Sequence, residues 1–296
     1  GMYRIIERSG YCRYQSSFAY NHETGKITVS KNNGENFHLG SGLKGTTLGA
    51  IDDGETAFKL NKWTPVGNGG KAYAGTFDGN GHTVNGVYVN DENIGYAGFF
   101  GLIGDINANN HYSGHVKNLT VGENSLILGY KCGGSGSTGG IAAMAMSIDT
   151  IANCINRAAV VGSSSSVSFN SNASSVGMVG GIVGCMAGKA ENCENYGTVV
   201  SDNYAGGIAG RNFGQIMMCA NSGDVNTYTE EVKLDIDNIN LEKIRSAENT
   251  TDITDVGGVA GYSSGVLQDC ANSGRVGYEH VGYNIGGIVG RQCGYV

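Results

Sequence analysis

The chain has 296 residues, of which 51 are glycine and one is proline, with 40% hydrophobic and only 15% charged. Glycine stands at more than twice its usual ~7%, without the proline of collagen, and this composition suits many short strands and tight turns better than long helices. A net charge of −7 argues against an electrostatic nucleic-acid binder, and no stretch approaches the ~20 apolar residues of a membrane-spanning helix.

Taken in chain order, Gly1-Met2-Tyr3-Arg4 runs into a polar, aromatic segment with no apolar signal-peptide region. Gly1 ahead of Met2 looks like the remnant of a removed tag, so an export signal is expected to lie outside this sequence. Ile27-Thr28-Val29-Ser30 alternates as a strand does, and Asn32-Asn33-Gly34 is a turn signal. Residues 1–62 carry no copy of the repeat that follows and are read as an N-terminal β cap or small β segment. The open end of a stacked array exposes unpaired backbone and apolar surface and needs such a cover.

From residue 63 to 296 an internal repeat dominates. Gly-Gly pairs open short apolar runs at Gly139-Gly140-Ile141, Gly180-Gly181-Ile182, Gly206-Gly207-Ile208, Gly257-Gly258-Val259 and Gly286-Gly287-Ile288. In three copies a cysteine stands twelve residues after the second glycine (181 to 193, 207 to 219, 258 to 270), and Cys154 follows Gly140 with one small slip. Each cysteine opens Cys-x-Asn, giving Cys154/Asn156, Cys193/Asn195, Cys219/Asn221 and Cys270/Asn272. A repeat of this kind predicts a solenoid coil of three strands that buries its apolar side only by stacking on the next, with like residues about 4.8 Å apart. Ile182, Ile208, Val259 and Ile288 then form one ladder, the four cysteines another, and the four asparagines a third, bonded amide to amide. Coil lengths of 26 and 29 residues (181 to 207, 258 to 287) make the longer intervals single coils with insertions. These insertions are the serine-rich run 163–175 and a charged segment near 227–255, where Val232, Ile236 and Ile239 fit a short helix and Val232–Ile236 fits a hairpin. The chain stops in mid-repeat, so the uncapped C-terminal coil is expected to make an end-to-end contact.

The unit Gly-Gly-[Ile/Val]-[Val/Ala]-Gly followed by Asn-Cys-x-Asn-x-Gly-x-Val resembles the GLUG repeat of large bacterial surface proteins. Trp63-Thr64-Pro65-Val66-Gly67 and Gly75-Thr76-Phe77-Asp78-Gly79-Asn80-Gly81 look like the stretch that opens such arrays. Gly98-Phe99-Phe100-Gly101 and Val116–Val121 then read as an early coil with Leu119 at the cysteine position. The resemblance covers residues 63 to 296. It implies an all-β, single-stranded, right-handed parallel β-helix in an exported or cell-surface bacterial protein. Some relatives attach such repeats to a metallopeptidase, but its His-Glu-x-x-His zinc motif is not in this sequence.

Candidate chemistry is sparse. The repeat cysteines are too far apart in sequence for a Cys-x2–4-Cys zinc site and are read as buried free thiols, although stacking would bring them within disulfide range. Cys12, Cys132, Cys185 and Cys293 fall outside the ladder. His111 and His115 straddle Gly114 in a loop-like stretch, and Asp235-x-Asp237-Asn238-x-Asn240 lacks the rest of a helix–loop–helix calcium motif, so no metal or other cofactor is assigned. Glycosidases need two carboxylates about 5–10 Å apart, yet Glu191, Glu194, Asp224 and Asp269 fall at differing repeat positions, and Asp78 reads as a turn residue. No catalytic residue is named. Tyr196, Tyr204, Tyr262, Tyr278 and Tyr283, in or beside coil turns, are the candidate ligand face, because tyrosine stacks on sugars and anchors protein partners. The expectation is a non-enzymatic spacer or adhesin, extracellular or on the cell surface, facing a glycan or host protein. A carbohydrate-active β-helix enzyme, a polysaccharide lyase or glycosidase, is the alternative.

Overall fold

The structure, a computed structural model, describes residues 2–6, 16–21, 26–31, 61–67, 71–91, 94–104, 113–123, 125–129, 137–146, 148–162, 177–201, 204–226, 255–277 and 284–293. Among these every regular element is a strand. Met2–Ile6, Ser16–Asn21 and Lys26–Lys31 pair antiparallel in chain order, with Met2 opposite Asn21 and Ser17 opposite Ser30. The strand expected at Ile27–Ser30 lies within the third of these. Both the charged segment 227–254 and the turn at Asn32–Gly34 lie outside the described residues.

From residue 61 onward the strands fall into five parallel sheets, and successive coils add one strand to each. In coil 4 the five are Lys189–Glu191, Glu194–Asn195, Val199–Ser201, Tyr204–Gly206 and Ala209–Asn212, and we number the sheets first to fifth in that order. Coils 1 to 6 start at Gly75, Gly114, Thr150, Lys189, Gln215 and Val266. In coils 5 and 6 the third sheet shrinks to single bridges, Val199 to Val225 to Val276. This is the parallel β-solenoid expected, with five short strands per coil where the repeat suggested three. The added corners are tight: Gly-Gly-Ile is itself a bend between the fourth and fifth sheets, with Gly180 ending one strand and Val183 beginning the next.

The core is built of like on like. Ile141, Ile182, Ile208 and Val259 are fully buried and bond backbone to backbone up the stack, Ile182 N–H to Ile208 O at 3.1 Å and Ile208 N–H to Val259 O at 2.9 Å. Val116, Ile151, Ala190 and Ile216 line the first sheet and Val89, Ile127, Val160 and Val199 the third. Leu119, Cys154, Cys193 and Cys219 fill the corner between the first and second sheets, and the described cysteines are free thiols. Each ladder thiol donates to the carbonyl two residues back, Cys193 Sγ to Glu191 O at 3.3 Å. Cys12 and Cys132 lie outside the described residues. At the start of the stack an aromatic group replaces the repeat: Trp63 stacks on Phe99 at 4.5 Å and donates its indole N–H to Phe99 O, while Tyr73 and Phe77 pack on Phe100. Asn61–Lys62 already pairs with the third sheet. At the other end, coil 6 leaves Val266, Ile285 and Ile288 exposed.

The asparagine ladder runs through coils 3 to 6. Asn156 Nδ2 donates to Asn195 Oδ1, Asn195 to Asn221 and Asn221 to Asn272, each at 2.8 Å. Each amide also donates to the carbonyl two residues on, as Asn221 does to Gly223 O at 2.7 Å. The ladder is directional, so its first member needs no donor from coil 2: Ala158 N–H bonds Asn156 Oδ1 at 3.1 Å, and Val121 occupies the equivalent place below. The second glycine of each pair makes room for it. A Cβ on Gly181, Gly207 or Gly258 would overlap the amide of Asn195, Asn221 or Asn272 and a carbonyl of the next coil.

A second, exposed ladder accompanies the cysteine corner. Asn118, Asn153 and Asn192 sit at φ 54, 52 and 51°, a left-handed conformation that asparagine tolerates better than most residues. Asn192 donates to Asn153 at 2.8 Å, Asn153 to Asn118 at 3.2 Å, and Asn118 to Asp78 at 2.9 Å. The Asn118 amide, with the Asn80 backbone N–H and Lys117, holds the Asp78 carboxyl down at about 2. Asp78 is thus the turn residue expected, with an inter-coil partner in addition.

The buried ladder sets the first prediction. Asn221→Ala takes one hydrogen bond each from Gly223 O and the amides of Asn195 and Asn272, and leaves Gly223 N–H with the Asn195 carbonyl alone. It is expected to lower stability by about 1–3 kcal/mol. Gln215→Ala on the exposed face is expected to change it by less than about 0.5 kcal/mol. Urea unfolding of the two variants measures the difference, and equal midpoints would contradict the ladder.

Candidate functional site

Two outward columns flank the Gly-Gly corner. The residue after the third glycine of the motif lies on the fifth sheet, where Leu102, Met144, Cys185, Arg211, Tyr262 and Arg291 stand in register. The residue two before the Gly-Gly pair's second-to-last position opens the fourth-sheet strand, where Ser137, Met178, Tyr204 and Asp255 stand in register. Coils 1 to 3 fill these columns with mostly apolar or small side chains, apart from Tyr96, which stands below Ser137 in coil 1. Coils 4 to 6 fill them with aromatic and charged ones, and the chemistry of the surface changes there.

Arg211 is the centre of that surface. Its guanidinium carbon lies 5.0 Å from the Tyr204 ring, 4.6 Å from Phe213 and 5.0 Å from Tyr262. The rings support one another, with Tyr204 and Tyr262 edge to face at 6.1 Å and Phe213 tilted against Tyr262 at 6.1 Å. Arg291 stacks on Tyr262 at 5.0 Å, so one tyrosine touches guanidinium groups from the coils on either side. Such cation–ring contacts are each worth about 0.5–2 kcal/mol, more as water is excluded.

Asp255 supplies the negative charge. Its side chain is fully buried, accepts from Asn284 Nδ2 at 2.7 Å, and faces Arg291 Nε at 2.9 Å, a contact of charges rather than a well-aligned hydrogen bond. Arg291 also donates from Nη2 to the Tyr204 hydroxyl at 3.4 Å. Burial raises the Asp255 carboxyl above the ordinary value, and Asn284, Arg291 and Arg211 offset only part of that. Burial likewise raises the Tyr204 phenol and pushes the Cys185 thiol, next to Arg211 in register, up to about 11, so neither is poised to ionise near neutral pH.

The candidate tyrosines do not share one place. Tyr204 and Tyr262 meet in this cluster, and both lie within strands rather than turns. Tyr196 lies beyond the second sheet, its ring under Arg157 at 4.5 Å and its hydroxyl bonded to Glu194. Tyr278 and Tyr283 lie outside the described residues. The cysteine and asparagine ladders are interior and structural.

The connection that enters the fourth sheet takes up most of the length variation, from residues 202–203 in coil 4 to 163–177 in coil 3 and 227–254 in coil 5. Both insertions expected from the repeat spacing enter here, immediately before strands that begin at Met178 and Asp255; the connection 104–113 of coil 1 is at another corner. Arg211, Phe213, Asp255 and Arg291 carried no signal in a search for repetition, because they occupy the places where the repeat varies. Their fixed offset from the glycines is the signal that finds them.

Among the described residues the remaining carboxylates are dispersed and engaged. Asp149 accepts from the backbone N–H groups of Gly114 and Met146, both at 2.7 Å, and burial raises its carboxyl. Asp224 pairs with Arg275 at 2.8 Å, and Glu191 with Lys189 at 2.8 Å. Among the described residues no three His, Cys, Asp or Glu side chains gather as a metal site, and no helix is long and apolar enough to cross a membrane. His111 and the Asp235–Asn240 run lie outside the described residues. No family model, curated protein or solved structure matches the chain.

Arg291→Met keeps the packing on Tyr262 but strips the buried carboxylate of its countercharge. A carboxyl whose folded pKa lies above its unfolded one is penalised when ionised, and the penalty grows as pH rises through that interval. The variant is expected to lose about 1–3 kcal/mol at pH 7, tempered by the partial exposure of Arg291, and to approach the parent as pH falls toward 4. Unfolding curves at the two pH values test this, and a pH-independent loss would contradict it.

Proposed function

We propose that this chain is a non-enzymatic β-solenoid of the secreted or cell-surface kind, a spacer that carries an adhesive face for a glycan or host protein. The observation that carries the reading is the convergence of Tyr204, Phe213 and Tyr262 with Arg211 and Arg291 on three consecutive coils. Rigid aromatic and arginine side chains are the residues that dominate recognition surfaces, and repeat proteins place their binding loops along one edge of the stack. Phe213 is 44% exposed, which leaves a large apolar face open to a partner. The likeness of the motif to the GLUG repeat of bacterial surface proteins, with the right-handed coil it implies, supports export. Catalysis is not part of the proposal, because the carboxylates described sit at separate corners with partners of their own.

A glycan array and a panel of immobilised host-matrix proteins, probed with the full chain, test the reading. Tyr262→Ala and Phe213→Ala are expected to weaken the strongest interaction at least tenfold, while Tyr196→Ala leaves it unchanged. A polysaccharide-degradation screen is expected to show no turnover. Cleavage that one carboxylate substitution abolishes would replace the proposal with a lyase or glycosidase.

A further inference from the structure

The charges of the cluster are unevenly matched. Arg291 pairs with Asp255, which is itself buried and bonded to Asn284. Arg211 makes ring contacts only: among the described residues it has no hydrogen bond and no ion pair, and its Nε is buried without a partner. A guanidinium carries five N–H donors in a planar fork that matches a carboxylate or sulfate, and a site with stacked rings around it strengthens that charge by excluding water. The chain as a whole is acidic, at −7, so this local cation is set against the general charge of the molecule.

We propose that Arg211 receives the acid group of an anionic polysaccharide, while Phe213 and Tyr262 pack against its sugar rings. This rests on the recognition face described above and specifies its ligand. The column Arg211, Tyr262, Arg291 runs along the stack at the inter-strand spacing of about 4.8 Å, a linear array of cation, ring and cation. A linear polymer fits the long axis of this array, with an acid group at the Arg211 end and sugar rings along Phe213 and Tyr262. A protein partner would instead call for a larger desolvated apolar centre, whereas in this cluster the exposed apolar surface is the Phe213 ring beside a guanidinium. Asp255 beside Arg291 repels a second anion at that end, so the acid group belongs at Arg211.

Binding of the full chain to four immobilised polymers tests the inference: polygalacturonate with carboxylates only, dextran sulfate with sulfates only, unmodified dextran, and poly-glutamate. At least one acidic polysaccharide is expected to bind tenfold or more tighter than dextran and poly-glutamate, and to weaken as salt rises. The polygalacturonate and dextran sulfate arms tell which acid is preferred. Arg211→Gln is expected to remove that preference while the chain, although it loses the three ring contacts, stays folded at the assay temperature. Where Arg211→Gln disturbs folding, the parent chain's ranking of polygalacturonate and dextran sulfate against dextran decides. Equal binding of dextran and its sulfate, together with no preference for polygalacturonate, overturns the inference, as does equal binding of poly-glutamate. If acid groups are immaterial but Tyr262→Ala still abolishes a neutral-glycan or protein interaction, the ligand assignment fails and the recognition face stands. If neither Tyr262→Ala nor Arg211→Gln changes any interaction, both fail.

Discussion

A buried amide packed against a bare backbone is the constraint from which the stack follows. Asn195 and Asn221 are essentially inaccessible to water, and a primary amide in that position must find partners for both its oxygen and its two N–H groups. One partner lies in its own coil and the other one coil away, so the amide is satisfied only when the coils are in register. The glycine opposite is the complement of that arrangement: any side chain on Gly181 or Gly207 would occupy the space of the amide it faces. Glycine in one coil and asparagine in the next therefore form a single packing unit, and the sequence repeat, read from Gly-Gly to Asn, follows that unit rather than the coil itself.

A core held this way leaves the outer positions free to vary. Next to the Gly-Gly corner, the fifth-sheet column passes from Leu102 and Met144 through Cys185 to Arg211, Tyr262 and Arg291 without any change in backbone register. Backbone spacing sets the distances among Tyr204, Tyr262 and the two guanidinium groups, and Phe213 joins them from the bend that follows Asn212. Such a surface is pre-organised, since stacked rings and arginines lose little freedom when a partner arrives. The buried Asp255 keeps part of the positive charge balanced within the fold and leaves Arg211 as the cation offered outward.

Much of this architecture is legible in the sequence because parallel stacking places identical residues on one another. The cysteine and asparagine columns and the ladder of Ile182, Ile208 and Val259 follow from spacing, and the place of Leu119 at the cysteine position follows from the resemblance of Val116–Val121 to the repeat motif. The corners are harder to read. Two-residue bends such as Asn192-Cys193 are too short to interrupt a hydrophobic pattern, and the left-handed conformation that makes them is a backbone property; even Met218 adopts it, at φ 52°. Hence five strands per coil look like three. The surface cluster is hidden for the opposite reason: a search for likeness passes over the columns where the coils differ. Of the tyrosines expected on one face, Tyr204 and Tyr262 share the cluster, whereas the coil carries Tyr196 to a different corner.

Ser222 and Ser273 provide the most direct test of coil-on-coil registry, since they are 51 positions apart in sequence and their hydroxyl oxygens lie 2.9 Å apart on the exposed side of the asparagine corner. Stacked parallel strands hold such Cα atoms within the range a disulfide spans. With both replaced by cysteine, mild oxidation and peptide mapping are expected to find an intramolecular 222–273 bridge in the folded chain, and none when the second cysteine is placed at 268 instead. Absence of the 222–273 bridge, or equal yields at the two positions, would contradict the stacking on which the fold and the aromatic–arginine cluster both rest.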